Sequence, residues 1–338
     1  MESHKTSRRE FFRPSRTTPA PQDIHLLRVG RPAMGSTFEI LFPASNRSRI
    51  EVAHRALDDV RRLEGIMTVY RDDSELSRVN REAALEAVEV NEELAEVLAL
   101  SLEVSRQTEG AFDITSGVLS RCWGFKDRKG EIPSDEAIQE SLTRMGWKFV
   151  GLNLERRRVW FGREGLELNL GSIGKGFALD HAARMLQNAD FGKVLLHAGH
   201  SSMIAMGDSS YPGGGWLVSV RHPVERNNNL VNLRLRNMAL GTSGAGEQFF
   251  EADDKSYGHV IDPRSGRPAE QNLSASCLAP SAALADALAT AFFVMSIDSI
   301  EAYCEKNQEV GAIVVPRLQQ GGKEAPVFFG IASSCVAN

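Results

Sequence analysis

The chain has 338 residues and a mass of 37.1 kDa, which suits one large domain or two small ones. Hydrophobic residues make up 42% of it and charged residues 25%, a composition that excludes a wholly disordered chain, a collagen and a coiled coil. The 39 basic and 44 acidic side chains give a formal net charge of −5, so neither nucleic acid nor an anionic membrane is expected as a partner.

The first 24 residues are rich in Pro, Ser, Thr and Arg and are predicted to form a disordered basic tail. Within this tail, the sequence SRREFF at 7–12 resembles a twin-arginine export box around Arg8-Arg9. Export also requires an apolar stretch of about 7–15 residues, and residues 13–23 contain only one apolar residue besides proline. We therefore expect a cytoplasmic protein, with export to the periplasmic face of a membrane as the alternative. The longest apolar stretch, 282–297, is shorter than the ~20 residues of a membrane span, so no transmembrane segment is expected.

After the tail, residues 36–42 predict a strand and three helices follow. The first helix is expected from Asn46 to a C-cap at Gly65. Its apolar residues recur at three- and four-residue spacing: Ile50, Ala53, Leu57 and Val60. Asn91 predicts the N-cap of the second helix, which is expected to end at Gly110. A third helix is predicted to start at 133–134 and to stop near Gly146.

The pattern changes after Phe149, where short alternating runs up to Leu170 predict strands joined by turns. A helix is predicted from Phe177 to about Leu186, and a strong, alanine-rich helix over 281–295. Further strands are predicted over 193–197, 216–221, 231–240, 311–315 and 327–331. No repeat with a period of about 20–50 residues is present, which excludes a solenoid or a propeller. The lack of a regular βαβ rhythm favours an α+β fold.

Asp286 and Thr290 lie four residues apart on the alanine-rich helix and therefore share one face of it. A carboxylate among Ala, Leu and Phe needs a partner. Together with a hydroxyl it forms part of a hard-oxygen cation site, typically for Mg²⁺, which a carbonyl, water or phosphate completes. An ion pair of Asp286 with Lys or Arg, and a Thr290 hydroxyl bonded to its own helix, explain the two residues equally well.

Residues 168–180 run from a strand through a turn with Gly171, Gly174 and Gly176 into a helix. Such a turn can present main-chain N–H groups and the positive end of a helix to an anion. The sequence matches neither a Walker A loop nor GxGxxG, so on its own it is more typical of a tight structural turn.

His259 lies between a predicted strand and a rigid turn at 262–266. Histidine is the side chain best matched to general-base catalysis near neutral pH. A lone histidine is usually structural, but the flanking glycine and turn favour an imidazole that is held and accessible. Aromatic residues at 70–80 and 110–125 could stack on a planar ligand, although alone they are more typical of core and turn.

In this order, these segments resemble the ApbE family, the FAD:protein FMN transferases. The most specific parts are HVIDPRSG at 259–266 and ADALATA at 285–291. The resemblance covers about 32–332, nearly the whole chain outside the tail. Its other segments are 34–37, 70–80, 110–115, 123–125, 170–176 and 242–244.

The resemblance implies one compact α+β unit over 25–338, with mixed, largely antiparallel sheets and packed helices, similar to a T-fold. It implies Mg²⁺-dependent transfer of FMN from FAD to a Ser or Thr hydroxyl of an acceptor flavoprotein, with release of AMP. The alternatives are an FAD pyrophosphatase, which forms FMN and AMP, and a flavin-binding protein without turnover. Mg²⁺ would be held by Asp286, Thr290 and the carbonyl of Gly174, and His259 would be the base. The FAD cleft would be lined by Met34, Tyr70, Ala111, Phe112, Asp113, Gly171, Phe177 and Val260.

Two positions depart from the pattern of many relatives. Those relatives have an acidic or amide residue after paired glycines, whereas this chain has Gly199-His200 followed by serine. Many also have an aromatic residue after Thr-Ser-Gly, where this chain has Ala245-Gly246. Both lie near the expected path of the substrate, so they bear on acceptor choice and turnover. His200 is expected to fill space rather than to bind a metal.

Overall fold

An antiparallel sheet forms the centre of the fold. The computed structural model describes residues 25–125, 130–209, 213–225, 227–244, 249–252, 255–317 and 325–337. In chain order its strands are β1 (Leu26–Ala33), β2 (Ser36–Pro43), β3 (Val88–Glu89), β4 (Val150–Asn153), β5 (Arg158–Phe161), β6 (Val194–Ala198), β7 (Ser202–Met206), β8 (Trp216–Arg221), β9 (Asn229–Leu235), β10 (Met238–Gly244), β11 (Phe249–Ala252), β12 (Lys255–Gly258), β13 (Ile261–Asp262), β14 (Arg267–Pro268), β15 (Asn272–Ala279), β16 (Gly311–Pro316) and β17 (Val327–Gly330).

Within the described ranges, eight of these strands form the central sheet in the order β1-β2-β6-β7-β10-β15-β16-β17, and all of its ladders are antiparallel. The helices are α1 (Ile50–Met67), α2 (Glu75–Glu82), α3 (Glu92–Gln107), α4 (Gly117–Cys122), α5 (Asp135–Thr143), α6 (Gly174–Asn188), α7 (Ala282–Val294) and α8 (Ile297–Lys306). Short 3₁₀ segments cover Ala44–Arg49, Trp147–Phe149 and Ile331–Cys335. None of the helices in the described part of the chain has the length and apolar character to cross a membrane.

Helix α7 lies at the centre of the fold because small side chains let other backbones approach it. Its N-cap is Ser281, whose hydroxyl accepts a hydrogen bond from the N–H of Leu284 at 3.2 Å. A Cβ at Gly241 on β10 would lie 2.4 Å from the carbonyl oxygen of Ala285. A Cβ at Gly176 on α6 would lie 2.1 Å from that of Ala282. Glycine is therefore required at both positions, and α7 packs directly against β10 and α6.

The structure confirms the α+β class and the antiparallel pairing. Asn91 and Ser134 act as N-caps, accepting hydrogen bonds from the N–H groups of Leu94 and Ala137. The strand predicted at 36–42 and the helix predicted at 281–295 are present as β2 and α7. The two closing strands are present as β16 and β17.

Several predicted boundaries are wrong. Helix α1 continues through Gly65 to Met67, because the side chain of Met67 is buried in the core and extends the apolar face by one turn. The single strand predicted over 231–240 is two strands. Asn237, with φ of 50°, turns the chain between them, so β9 pairs with β8 and β10 joins the central sheet. Helix α6 begins at Gly174, three residues before the predicted start.

Two expectations fall outside the described residues. These are the disordered tail at 1–24 and the departure at Ala245-Gly246. The division of the chain into this tail and one domain over 25–338 stays a prediction.

Candidate active site

Asp286 lies where the first turn of α6 meets α7. The residue is only 8% exposed. Its Oδ2 accepts hydrogen bonds from the N–H of Gly176 at 2.8 Å and from the hydroxyl of Ser202 at 3.0 Å. Among the described residues, Oδ1 makes no hydrogen bond and no Lys or Arg forms an ion pair with this carboxylate. The ion pair considered for Asp286 is therefore not what the structure shows.

Burial raises the pKa of Asp286 to about 7, and the nearby ammonium group of Lys175 partly opposes this shift. The Lys175 Nζ donates a hydrogen bond to the hydroxyl of Ser201 at 2.5 Å. The hydroxyl groups of Ser201 and Ser202 are 3.3 Å apart. A chain of polar groups thus leads from the Lys175 ammonium through two serines to the Asp286 carboxylate.

Thr290 lies one helical turn after Asp286, on the same face of α7. Its hydroxyl donates to the carbonyl oxygen of Asp286 at 3.2 Å. This is the hydrogen bond to its own helix that the sequence analysis gave as one of two explanations for Thr290. The Thr290 hydroxyl oxygen also lies 3.2 Å from the hydroxyl oxygen of Ser243 on β10. The Thr290 hydroxyl therefore borders a site formed by α7 and β10, and it retains lone-pair capacity for a further contact.

The groups at this junction fit a hard cation. The Asp286 Oδ1 makes no hydrogen bond among the described residues, and Thr290 supplies a hydroxyl oxygen. Gly174 is the first residue of α6, two positions before the Gly176 amide that Asp286 binds. In the described ranges, no group of three or more His, Cys, Asp or Glu side chains is placed to hold a metal. One carboxylate with neutral oxygens is the donor chemistry of Mg²⁺ rather than of Zn²⁺.

His259 is half-buried in the link between β12 and β13. The turn that follows it is rigid: Arg264 binds both oxygens of the Asp262 carboxylate at 2.9 Å. The Arg264 guanidinium also donates to the carbonyl oxygen of Val294 at 3.4 Å, at the end of α7. Val294 lies four residues after Thr290, which is about 6 Å along the helix axis. The segment that carries His259 is thus attached to the helix that carries Asp286 and Thr290.

Met34 occupies the tight turn between β1 and β2, with φ of 50°. Its N–H donates to the Glu64 carboxylate at 2.7 Å. The residues after it border an open pocket of about 840 Å³. The pocket is also lined by Arg28, Glu39, Glu64, His197, Gly199 and His200. His200 therefore faces a cavity, and no metal-binding cluster in the described part of the chain includes it.

Ala111, Phe112 and Asp113 lie inside the protein. The first two are each 1% exposed, so almost none of their surface, main chain included, is accessible to a ligand in this structure. The Asp113 carboxylate accepts hydrogen bonds from the N–H and hydroxyl of Thr115 at 2.8 and 2.7 Å, and from the N–H of Trp147 at 3.0 Å. Burial raises the pKa of Asp113. This carboxylate holds the turn at 113–115 against Trp147.

The other predicted FAD-cleft residues are dispersed. Tyr70 is 75% exposed, and its ring is free to stack on a planar ligand. Gly171 is exposed in a turn closed by the Asn169 side chain at 2.8 Å, and the carbonyl of Val260 accepts the N–H of Ala269 at 2.9 Å. Phe177 contacts the ring of His181 and lines a second pocket of about 430 Å³, rather than the pocket beside Met34.

Sequence reasoning assigned no role to Lys175, Ser201, Ser202, Ser243 or Asp180. Lys175 and Ser243 lie inside the segments 170–176 and 242–244 and could have been identified there. Nothing in the sequence around Ser201 and Ser202 indicated that these hydroxyl groups belong to the site. Asp180 accepts hydrogen bonds from the N–H groups of Ala282 at 2.7 Å and Ala283 at 2.9 Å, so it caps α7 from α6.

The burial of Asp180 is expected to make the free energy of unfolding depend on pH. Burial raises its pKa to about 6 from a usual 3.8, although the bonds from Ala283 and Ala282 oppose the shift. The folded protein therefore keeps a proton on Asp180 that the unfolded chain has released. This contribution to stability is complete below the unfolded pKa and is lost as the pH rises through about 6. Relative to Asp180→Asn, the metal-free protein should lose roughly 2 kcal/mol of unfolding free energy between pH ~4 and ~6.5.

Urea unfolding of both proteins across this pH range measures the effect. The difference between them removes the contributions of titrating groups that do not interact with Asp180, whereas Asp286, whose pKa the Asp180 charge raises, contributes to it. A difference that is constant, or that grows with pH, would contradict the assignment of Asp180.

The sequence profile of the ApbE family matches residues 34–314. The chain belongs to the ApbE family. It is 28% identical to a FAD:protein FMN transferase from Escherichia coli over 298 residues, covering 84% of each chain. Among solved structures it is similar to the ApbE protein from Thermotoga maritima, with 27% identity, a TM-score of 0.79 and coverage of 86% of this chain and 94% of that one. It is also similar to the flavin transferase ApbE from Vibrio cholerae, with 25% identity and a TM-score of 0.78. That match covers 92% of this chain and 99% of the Vibrio cholerae chain.

The range that matches the ApbE family contains every candidate site residue, from Met34 at its first position to Thr290. The ApbE structures also share the mixed helical and antiparallel-sheet architecture described above.

Proposed function

We propose that this ApbE-family protein is a Mg²⁺-dependent FAD:protein FMN transferase. It would move FMN from FAD to a Ser or Thr hydroxyl of an acceptor flavoprotein and release AMP. The observation that supports this most is the junction of α6 and α7. There Asp286 and Thr290 present oxygens beside the helix start that carries Gly174 and Lys175. The relatives named above as transferases of this kind support the same assignment.

In this proposal Asp286, Thr290 and the carbonyl of Gly174 hold Mg²⁺. When bound, the ion supplies positive charge and Lewis acidity at the pyrophosphate of FAD. Asp286 is suited to this role because burial raises its pKa to about 7 and the Lys175 ammonium group offsets that shift only in part, so a bound cation would stabilise the charged carboxylate. Thr290 and Ser243, hydrogen-bonded to each other, fix the edge of the site on the side of β10.

The start of α6 is proposed to bind and orient the phosphates. Its positive end attracts anions, although the N–H groups of Gly174 and Gly176 already donate to the Leu170 carbonyl and the Asp286 carboxylate. Lys175 is in the first turn, and among the described residues it makes no ion pair with a carboxylate. The Lys175 ammonium group donates one hydrogen bond to the Ser201 hydroxyl, and its other N–H groups can donate to a phosphate oxygen. Phosphoryl transfer depends mostly on such positioning and charge neutralisation.

His259 is proposed to be the general base. The acceptor hydroxyl oxygen forms a bond to the FMN phosphorus of FAD, and the P–O bond to AMP breaks. The hydroxyl proton goes to the neutral imidazole, and AMP leaves with the electron pair of the broken bond. A positioned base contributes about 10²–10⁴-fold to such a step.

The flavin and the acceptor would approach from the side of Met34 and Tyr70. Tyr70 offers an exposed ring for stacking, and the pocket beside Met34 is open to solvent. Ala111, Phe112 and Asp113 would support this side of the cleft from inside, and Gly171 and Val260 would complete it. Phe177 lines the second pocket, so it would contact FAD only where the ligand extends beyond the pocket beside Met34.

The decisive experiment incubates the protein with FAD and Mg²⁺, with and without a candidate acceptor flavoprotein. AMP is quantified by chromatography, and the acceptor is analysed by mass spectrometry. The proposal expects AMP only with the acceptor, together with a covalent FMN adduct on a Ser or Thr. AMP without acceptor would instead indicate an FAD pyrophosphatase, and intact bound FAD a flavin-binding protein.

The cytoplasmic location remains a prediction from the residues that follow Arg8-Arg9. Cell fractionation of the native producer, with marker enzymes for each compartment, tests it. We expect the protein with the cytoplasmic marker; recovery with the periplasmic marker would contradict the prediction.

A further inference from the structure

The N-terminal ends of α6 and α7 lie against each other, and each is capped by a carboxylate of the other helix. Asp180 of α6 accepts the N–H groups of Ala282 and Ala283, one on each of its oxygens, at 2.7 and 2.9 Å. Asp286 of α7 accepts the N–H of Gly176 at 2.8 Å. Two helix ends in backbone contact are thus linked by a reciprocal pair of caps.

This arrangement has an electrostatic reason. Each helix N-terminus carries a partial positive charge of about half a unit, so two such ends side by side repel each other. A carboxylate facing each end offsets the repulsion and satisfies N–H groups that have no partner within their own helix. The two carboxylates are not equivalent, because both oxygens of Asp180 are used by α7 whereas Asp286 keeps Oδ1 for another contact.

Resting on the proposed function, we propose that Asp180 is a positioning residue for the cation site. Gly174 belongs to α6, whereas Asp286 and Thr290 belong to α7, so their separation depends on how the two helices are aligned. A carboxylate that turns toward a cation weakens its own bond to Gly176. Among the described residues, Asp180 makes no hydrogen bond to the proposed ligands, although its charge acts on the Asp286 carboxylate. Its two bonds to α7 therefore keep the helices aligned when Asp286 turns toward a cation.

Ser281 provides a matched control at the same end of α7. Its hydroxyl accepts the N–H of Leu284 within its own helix and makes no hydrogen bond to α6 among the described residues. Ser281→Ala therefore removes a cap from α7 without loosening its connection to α6. Comparison with Asp180→Asn separates loss of capping from loss of alignment.

The test measures Mn²⁺ binding, as a probe for the Mg²⁺ site, from the electron paramagnetic resonance signal of the free ion in the presence of FAD without acceptor. Melting temperatures are recorded for the same samples. Asp180→Asn is expected to weaken Mn²⁺ binding by about tenfold or more. It should also raise the Mg²⁺ concentration needed for half-maximal FMN transfer while kcat at saturating Mg²⁺ is largely kept. Ser281→Ala is expected to lower the melting temperature and leave Mn²⁺ affinity unchanged.

Asp180→Asn with a lowered melting temperature and wild-type Mn²⁺ affinity overturns the inference, because Asp180 is then only a helix cap. If the wild-type protein shows no saturable Mn²⁺ binding, the proposed function and the inference fall together. Should Asp180→Asn not fold, Asp180→Glu replaces it, since it keeps the charge but lengthens the link between the helices. Weaker Mn²⁺ binding by Asp180→Glu supports the inference, and wild-type affinity overturns it.

Discussion

Asp286→Ala is expected to lower the rate of Mg²⁺-dependent FMN transfer by ~10³-fold or more in a protein that still folds. The Asp286 carboxylate is the charged member of the three groups proposed to hold Mg²⁺, the others being the Thr290 hydroxyl and the Gly174 carbonyl. Without it, two neutral oxygens remain, and these hold Mg²⁺ poorly. The ion is expected to contribute several kcal/mol of charge stabilisation in the transition state, which corresponds to a rate factor of this size.

The fold should survive because the substitution has opposing effects on stability. It removes hydrogen bonds from Gly176 and Ser202, which leaves those donors unsatisfied at a cost of about 1–3 kcal/mol each. It also removes a buried carboxylate whose pKa is raised to about 7, which means that ionising this group is unfavourable in the metal-free protein. Melting temperature and single-turnover FMN transfer across a Mg²⁺ titration measure both effects.

Ser202→Ala is the matched control. It removes one hydrogen bond to the same Asp286 oxygen but no proposed ligand, so a much smaller loss of activity is expected. If Asp286→Ala kept full activity with an unchanged Mg²⁺ dependence, the assignment of the cation site would be wrong.

The candidate cation site was predictable to the extent that its residues lie within one helix. Asp286 and Thr290 are four residues apart in a segment of alanines and leucines, and helical periodicity alone places them on one face. The structure confirms that placement through the bond from the Thr290 hydroxyl to the Asp286 carbonyl. The N-caps at Asn91 and Ser134 were predictable for the same reason, because capping depends on neighbours three residues away.

Contacts between distant segments could not be predicted from local patterns. The bond between Ser202 and Asp286 joins residues 84 positions apart, and that between Asp180 and Ala282 joins residues 102 apart. Neither residue has a neighbour in sequence that marks it as a partner for α7. Likewise, Gly176 was predicted to belong to a tight turn, whereas the structure places it in α6, where the close approach of the Ala282 carbonyl requires glycine.

The strand predicted over 231–240 was wrong for a related reason. Residues 231–240 have the composition of one strand, but the central sheet and the β8–β9 ribbon each take half of it. The turn depends on Asn237 adopting a positive φ, which asparagine tolerates better than most residues but does not require. Tertiary pairing, rather than local preference, decided where the strand was divided.

His259→Ala is expected to lower FMN transfer by ~10²-fold or more while FAD affinity changes little. A Ser or Thr hydroxyl is a weak nucleophile until a base takes its proton, and the imidazole is proposed to act on the acceptor rather than on the flavin. Because only the neutral imidazole accepts a proton, the wild-type rate should rise with pH if His259 is the base. His259→Ala should lose this rise. Melting temperature, FAD affinity and single-turnover transfer are measured on one preparation.

If His259 has only a structural role, the same measurements should give different results. Loss of a packed histidine would lower the melting temperature and FAD affinity together, and the folded fraction would transfer FMN at the wild-type rate with the wild-type pH profile. His200→Ala is the control, since His200 lines the pocket beside Met34 but is not the proposed base. Added imidazole sharpens the distinction, because a free base can replace a missing proton acceptor but not a missing packing contact. Partial recovery of transfer in His259→Ala by imidazole would support the catalytic role. A variant that binds FAD normally and transfers FMN at the wild-type rate without imidazole would rule it out.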